Sequence, residues 1–206
     1  MKQLVKITQF FFVFFVILSC QKKSDESSNV VEKDSVVETH STSNDEPNTE
    51  FYKELSLQGI TFIVKAQGNQ LTVLPSGLEV SNETISKIIE GYVTGAEIED
   101  LNSDGSPDLF IYTSDGENKF GNVIAFSVNN KKSVSQVNYP KISENKEINN
   151  GYNGQDQFAI VENTLSRRFP IFNSDGSPTG KNRQIEYDLV EGEASRQLIV
   201  NNFSEY

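Results

Sequence analysis

Residues 57–74 read LQGITFIVKAQGNQLTVL. Ile60, Phe62 and Val64 recur at every second position, which is the spacing of a strand with one buried face. Gly68-Asn69 supplies a turn, and 71–74 runs back as a second strand. The pattern continues outward from this pair. Segments 91–98 and 109–113 flank an acidic turn, and 122–128 alternates less cleanly. Segments 133–139, 157–161, 165–172, 184–190 and 197–200 follow, each bounded by Gly, Asn, Asp or Pro. Only 82–90, NETISKIIE, predicts a helix, with Asn82 as its N-cap, Ile85, Ile88 and Ile89 on one side and Gly91 as the stop. The expected fold is all-β: an antiparallel β-sandwich or open barrel of about eight to ten short strands with one short helix.

The N-terminus has a different character. Lys2 and Lys6 precede FFFVFFVIL at 10–18, a run too short for a spanning helix of about 20 residues but suited to the apolar core of a secretory signal. The run ends in Ile17-Leu18-Ser19-Cys20, which resembles the lipobox of bacterial lipoproteins, and Cys20 is the only cysteine. Residues 1–19 are therefore expected to be a signal peptide and Cys20 the lipidated anchor to a membrane. A lone exported thiol has no internal disulfide partner, which fits its modification. Residues 21–50 hold eight acids, three lysines and no aromatic side chain, so 20–50 reads as a lipidated Cys with a disordered acidic tether of roughly 30 Å reach. No Asp follows Cys20 in the manner that resembles an inner-membrane retention signal. The expected location is the outer membrane, facing the periplasm or the cell surface. The remaining 51–206 fits one domain.

Charge and composition narrow the function. The formal net charge is −11, which argues against nucleic acid as a partner. His40 is the only histidine and lies in the tether, so a His-based triad, a His metal site and a haem ligand are excluded. Asp115 and Glu117 are the paired carboxylates a hydrolase would need, but they sit on a loop with no evident pocket.

The acidic turn is Asp100-Leu-Asn102-Ser-Asp104-Gly105-Ser106-Pro-Asp108. Oxygen donors at relative positions 1, 3 and 5 followed by Gly suit calcium, with the Ser106 carbonyl and Asp108 as further ligands. The twelfth position is Ile111 rather than the Glu of an EF-hand. The competing reading is a bare turn, since Asn, Asp, Gly and Pro all form turns. The same letters NSDGSP recur at 173–178 without the flanking acids, so only the first copy is completed as a possible Ca²⁺ loop.

Several clusters together resemble one family. They are Gly91-x-Val93-x-x-Ala96-Glu97-x-x-Asp100, Gly151-Tyr152-x-Gly154-x-Asp156-x-Phe158, Arg168-Phe169-Pro170, Pro178-Thr179-Gly180-x-x-Arg183 and Tyr187-x-Leu189-x-x-Gly192-Glu193-Ala194. In this order they are similar to the periplasmic inhibitors of invertebrate-type lysozyme. The resemblance implies a non-enzymatic all-β protein that inserts a loop into a lysozyme's substrate cleft. The matching loop runs from Thr113 through Ser114, Asp115, Gly116, Glu117, Asn118, Lys119, Phe120 and Gly121. Phe120 stands where the family's tyrosine is expected, and Glu117 near an expected serine, facing the carboxylates such an enzyme uses. Lys119 would offset that repulsion. The bland reading of this loop is a solvated β-turn. The second functional reading is a calcium-stabilised surface module for a glycan or protein ligand. Arg167 and Arg168 fall on opposite strand faces; Arg168 and Arg183 are expected to form structural ion pairs, and Tyr152 and Tyr187 to be core aromatics. Monomer and homodimer both remain open.

Overall fold

A computed structural model describes residues 50–206, which fall within one compact unit, Asp45–Tyr206. The signal peptide assigned to 1–19, Cys20 and all of the tether except Glu50 lie outside the described residues.

The opening hairpin forms as its alternation predicts. Strand β1 (Glu50–Leu57) pairs with β2 (Ile60–Gln67), which turns at Gly68-Asn69 into β3 (Gln70–Ser76). A fourth strand, β4 (Ile85–Ile88), completes an antiparallel sheet in the order β1-β2-β3-β4. The second sheet is β5 (Tyr92–Glu99), β6 (Asp108–Asp115), β7 (Phe120–Asn129) and β8 (Ser133–Val137), again in chain order. The third is β9 (Gln157–Val161), β10 (Thr164–Phe172), β11 (Pro178–Val190) and β12 (Gln197–Glu205). Among the described residues the protein is all-β, three open four-stranded meanders with no closed barrel. They hold twelve strands against the expected eight to ten, because β1 lacks clean alternation and β4 falls in the segment expected to be helical.

Two cores hold the layers together. Ile60, Phe62, Val64, Leu71 and Val73 from the first sheet pack with Leu109, Ile111, Ile124, Phe126 and Val128 of the second. Phe110, Tyr112, Val123 and Ala125 of the second pack with Leu165, Phe169, Ile185, Tyr187 and Leu198 of the third. Consecutive residues of β6 thus feed opposite cores, and seven of its eight residues are buried. A strand covered on both faces loses the apolar–polar alternation and reads as a continuous run.

The helix expected over 82–90 is a correction. Residues 85–88 are strand, paired with Gln70, Leu71, Thr72 and Val73 of β3. Asn82 caps no helix; its side-chain amide donates to Leu78 O and accepts from Leu78 N–H, both at 2.9 Å. Ile89 is buried and Ile88 is 70% exposed, so the supposed apolar helical face is split. Three isoleucines and a threonine favour the extended chain, and β3 otherwise ends the sheet with its ladder unpaired. Among the described residues the one short α-helix is α1 (Lys146–Asn149), after a 3₁₀ turn at Ile142–Glu144. Asn145 caps it by accepting from Glu147 and Ile148 N–H.

Candidate functional site

The β6–β7 hairpin carries the predicted loop. Its strands pair from Asp108↔Ser127 to Asp115↔Phe120, leaving Gly116, Glu117, Asn118 and Lys119 as the turn. Lys119 N–H donates to Gly116 O at 3.1 Å. Both residues have positive φ, +66° and +54°, which costs the glycine little and the lysine about 1 kcal/mol. Residues 115–120 are exposed, Phe120 by 42%. Ser114 is buried and Gly121 is half-buried, so these two are the foot of the loop rather than its tip.

The tip does not wave freely in solvent. Asn118 O accepts from Gln155 N–H at 2.7 Å, Lys119 O accepts from the same group at 3.1 Å, and Asn118 Nδ2 donates to Asn153 Oδ1 at 3.2 Å. Gly154 sits so close that a Cβ there would lie 2.2 Å from Asn118 O, and its φ is +79°. The loop 153–156 is therefore a bracket against the hairpin.

Behind the bracket lies a buried clamp. Asp156 accepts from Gly121 N–H (2.6 Å), Tyr152 OH (2.5 Å) and Arg167 Nε (2.7 Å). Arg167 also donates to Gly121 O (3.3 Å), Tyr152 OH (2.9 Å) and Tyr139 OH (3.2 Å). Gly121 is thus held by both its N–H and its C=O. The ion pair is 2% and 0% exposed. Tyr152, Phe158 and Phe169 place their rings 5.1–5.7 Å from the guanidinium carbon. Burial alone would lower the Arg167 pKa, but Tyr139, Asp156 and Tyr152 hold it well above the ordinary value. Burial likewise pushes Tyr139 and Tyr152 up, against the pull of Arg167. Phe120 meets Tyr152 edge-on at 5.8 Å, which joins the exposed tip to the clamp.

Arg167 is the residue the sequence reading passed over for Arg168. Arg168 is exposed and donates to Gln157 and Tyr206 OH, with no acidic partner among the described residues. The signal was present: Leu165, Arg167, Phe169 and Ile171 share one face of β10, and all four are buried. Arg183 does form an ion pair, with Glu205, and donates to the Ile148 and Asn150 carbonyls at 2.7 Å. Tyr187 is a core aromatic, 1% exposed, and Tyr152 is half-buried.

The acidic turn links β5 to β6. Asp100 accepts from Asp104 N–H, Gly105 N–H and Gln58 Nε2, each at 2.9 Å. Asp104 accepts from Ser106 N–H (2.8 Å) and Asn102 Nδ2 (3.1 Å), and ion-pairs with Arg196 at 2.7 Å. Asp108 is fully buried, accepting from Ser127 Oγ and from Leu101 N–H at 3.0 Å. Burial raises its carboxyl to about 6, partly opposed by Ser127, Leu101 and Arg196. Among the described residues no group of three or more His, Cys, Asp or Glu side chains is arranged to hold a metal ion. Asn102 Oδ1 is nevertheless buried without a partner. The second NSDGSP copy repeats the local bond, with Asp175 accepting from Ser177 N–H at 2.9 Å, but Ile171 and Thr179 stand where the first copy has Asp100 and Asp108. Asp115 and Glu117 line different clefts beside the hairpin.

No protein-family model, curated protein or solved structure matches this chain.

Proposed function

We propose that this protein is a non-enzymatic inhibitor of an invertebrate-type lysozyme, anchored through lipid on Cys20 to the outer membrane, that inserts residues 115–120 into the enzyme's substrate cleft. One observation carries this reading: an exposed six-residue tip is fixed at Gly121 on both backbone polar groups by a buried Asp156–Arg167 pair. A rigid plug gives up little conformational freedom on binding, so more of its contact energy appears as affinity. The clusters that carry the family resemblance also support it, since Tyr152, Gly154, Asp156 and Phe158 all contact the hairpin or its clamp. Phe120 is the anchor, with Gly116 letting the backbone turn sharply at the tip.

The test is lysozyme turnover with and without the unit Asp45–Tyr206. Phe120→Ala removes a ring whose exposed part is worth about 2 kcal/mol on burial, so inhibition weakens roughly 30-fold. Phe120→Tyr strengthens it by restoring a hydroxyl. If no invertebrate-type lysozyme is slowed at micromolar protein, the plug is refuted.

A second reading is favoured by Asn102. The donor set of Asp100, Asn102, Asp104, the Ser106 carbonyl and Asp108 is all oxygen, as a hard cation requires, and Asn102 Oδ1 has no other partner. Calcium at this turn would compete with Arg196 for Asp104 and would stabilise a surface module for a glycan or protein ligand.

A further inference from the structure

A cleft of ≈ 520 Å³ opens on the flank of the hairpin, lined by Lys53 of β1, by Tyr92, Gly95 and Glu97 of β5, by Ser114 and Lys119 of the hairpin, and by Phe158 among others. We propose that this cleft is a carboxylate-binding site, and that in the complex proposed above it receives an acidic side chain from the rim of the lysozyme's cleft. The second half of that statement rests on the inhibitor reading; the first half does not.

The charges in the cleft are unevenly committed. Its two acids are already engaged: Asp156 by Arg167, Tyr152 and Gly121, and Glu97 Oε2 by Tyr112 OH and by Ile160 N–H at 3.0 Å. Its two lysines have no acidic partner among the described residues. Among the described residues the ion pairs involve Arg167, Arg183 and Arg196 alone. Lys53 Nζ donates once, to Ala96 O at 2.7 Å, and keeps two protons free. With Asp156 balanced by Arg167, the two ammonium groups face the single carboxylate of Glu97, an excess of one positive charge in a chain of net charge −11.

Ser114 supplies an independent sign. The residue lines this cleft and is 8% exposed, yet its Oγ is buried with no hydrogen-bond partner among the described residues. Leaving a buried hydroxyl unpaired costs about 1–3 kcal/mol, so such groups in folded proteins call for an occupant or a role. Phe158 stacks on Tyr112 at 5.4 Å and 17°, giving the cleft an aromatic wall, beside which charge-assisted hydrogen bonds gain strength. Two ammonium groups and a hydroxyl line the same cleft, and all three can donate to a carboxylate, which only accepts. They do not match an amide, which brings one acceptor and two donors.

The site is tested by titrating ¹⁵N-labelled Asp45–Tyr206 with N-acetyl-aspartate methylamide, using the asparagine analogue as control. Saturable millimolar shifts are expected at Lys53, Ser114 and Lys119 for the aspartate compound alone, and they disappear in Lys53→Gln/Lys119→Gln, whose exposed positions leave the fold intact. Equal shifts with the asparagine analogue, no saturation, or unchanged binding in the double variant overturns the site. A lysozyme assay separates the two layers. Lys53→Glu, well away from the tip in sequence, is expected to weaken inhibition at least 10-fold. If Phe120→Ala leaves inhibition unchanged while the capped aspartate still binds, the plug fails and the site stands. If Phe120→Ala abolishes inhibition and the capped aspartate does not bind, the site alone fails.

Discussion

Replacing Arg167 with methionine keeps most of the apolar stem and removes the guanidinium. Four hydrogen bonds go with it: to Asp156 Oδ1, Tyr139 OH, Tyr152 OH and Gly121 O. Asp156 keeps Gly121 N–H and Tyr152 OH as donors, but both reach Oδ2, so Oδ1 is left buried with no donor. Breaking a buried pair on one side costs about 3–5 kcal/mol. A domain of this size has roughly 5–15 kcal/mol in total, so the variant still folds. With a urea m-value of about 2 kcal/mol/M, its midpoint falls by roughly 1.5–2.5 M. The companion variant Arg167→Met/Asp156→Asn removes the orphaned charge and recovers at least about 1 kcal/mol of that loss. Urea denaturation of wild type, Arg167→Met, Asp156→Asn and the double variant on the same day closes the cycle. The clamp is refuted if Arg167→Met costs less than about 1 kcal/mol, or if the double variant is no more stable than the single one.

Other outcomes follow from the same geometry. Gly154→Ala forces a Cβ to 2.2 Å from Asn118 O at a φ of +79°, so it lowers stability by about 2 kcal/mol or more and weakens lysozyme inhibition; unchanged thermal melting refutes the bracket. Asp108, raised to about 6 by burial, binds a proton more tightly folded than unfolded. Its stability penalty is full above pH 6 and is relieved as pH falls toward 4. The stability advantage of Asp108→Asn over wild type, measured in chelator, therefore shrinks by about 2 kcal/mol from pH 7.5 to 4.5; a difference that does not move with pH refutes it. If the acidic turn holds calcium, melting temperature rises with millimolar calcium, Asp104→Ala abolishes the rise, Arg196→Gln enlarges it, and Asp175→Ala leaves it unchanged.

The fold class was legible because half-covered strands announce themselves: Ile60, Phe62 and Val64 alternate, and all three are buried in the first core. The 82–90 segment misled for a physical reason. Ile85, Ile88 and Ile89 satisfy a helical spacing as well as a short strand does, and only the unpaired edge of β3 decides between them. The candidate loop was placed through the family resemblance, and a hairpin turn forms at Gly116–Lys119. Its support could not be placed, because Asp156 and Arg167 come from different strands and loops and meet only through tertiary packing. Arg167 had a local clue in its apolar neighbours at every second position. Asp156 had none, since nothing in Gly-Gln-Asp-Gln marks an acid that will be fully covered.

The middle sheet, covered on both faces, bears on how this surface can change over generations. Substitutions along β6 disturb two cores at once and are filtered by folding. The six exposed residues at the end of the same hairpin fill neither core. Rigid support and free sequence therefore lie next to each other, one residue apart at Ser114 and Asp115. Were the tip to engage a partner as proposed, its sequence could change while Asp156 and Arg167 kept its position in space.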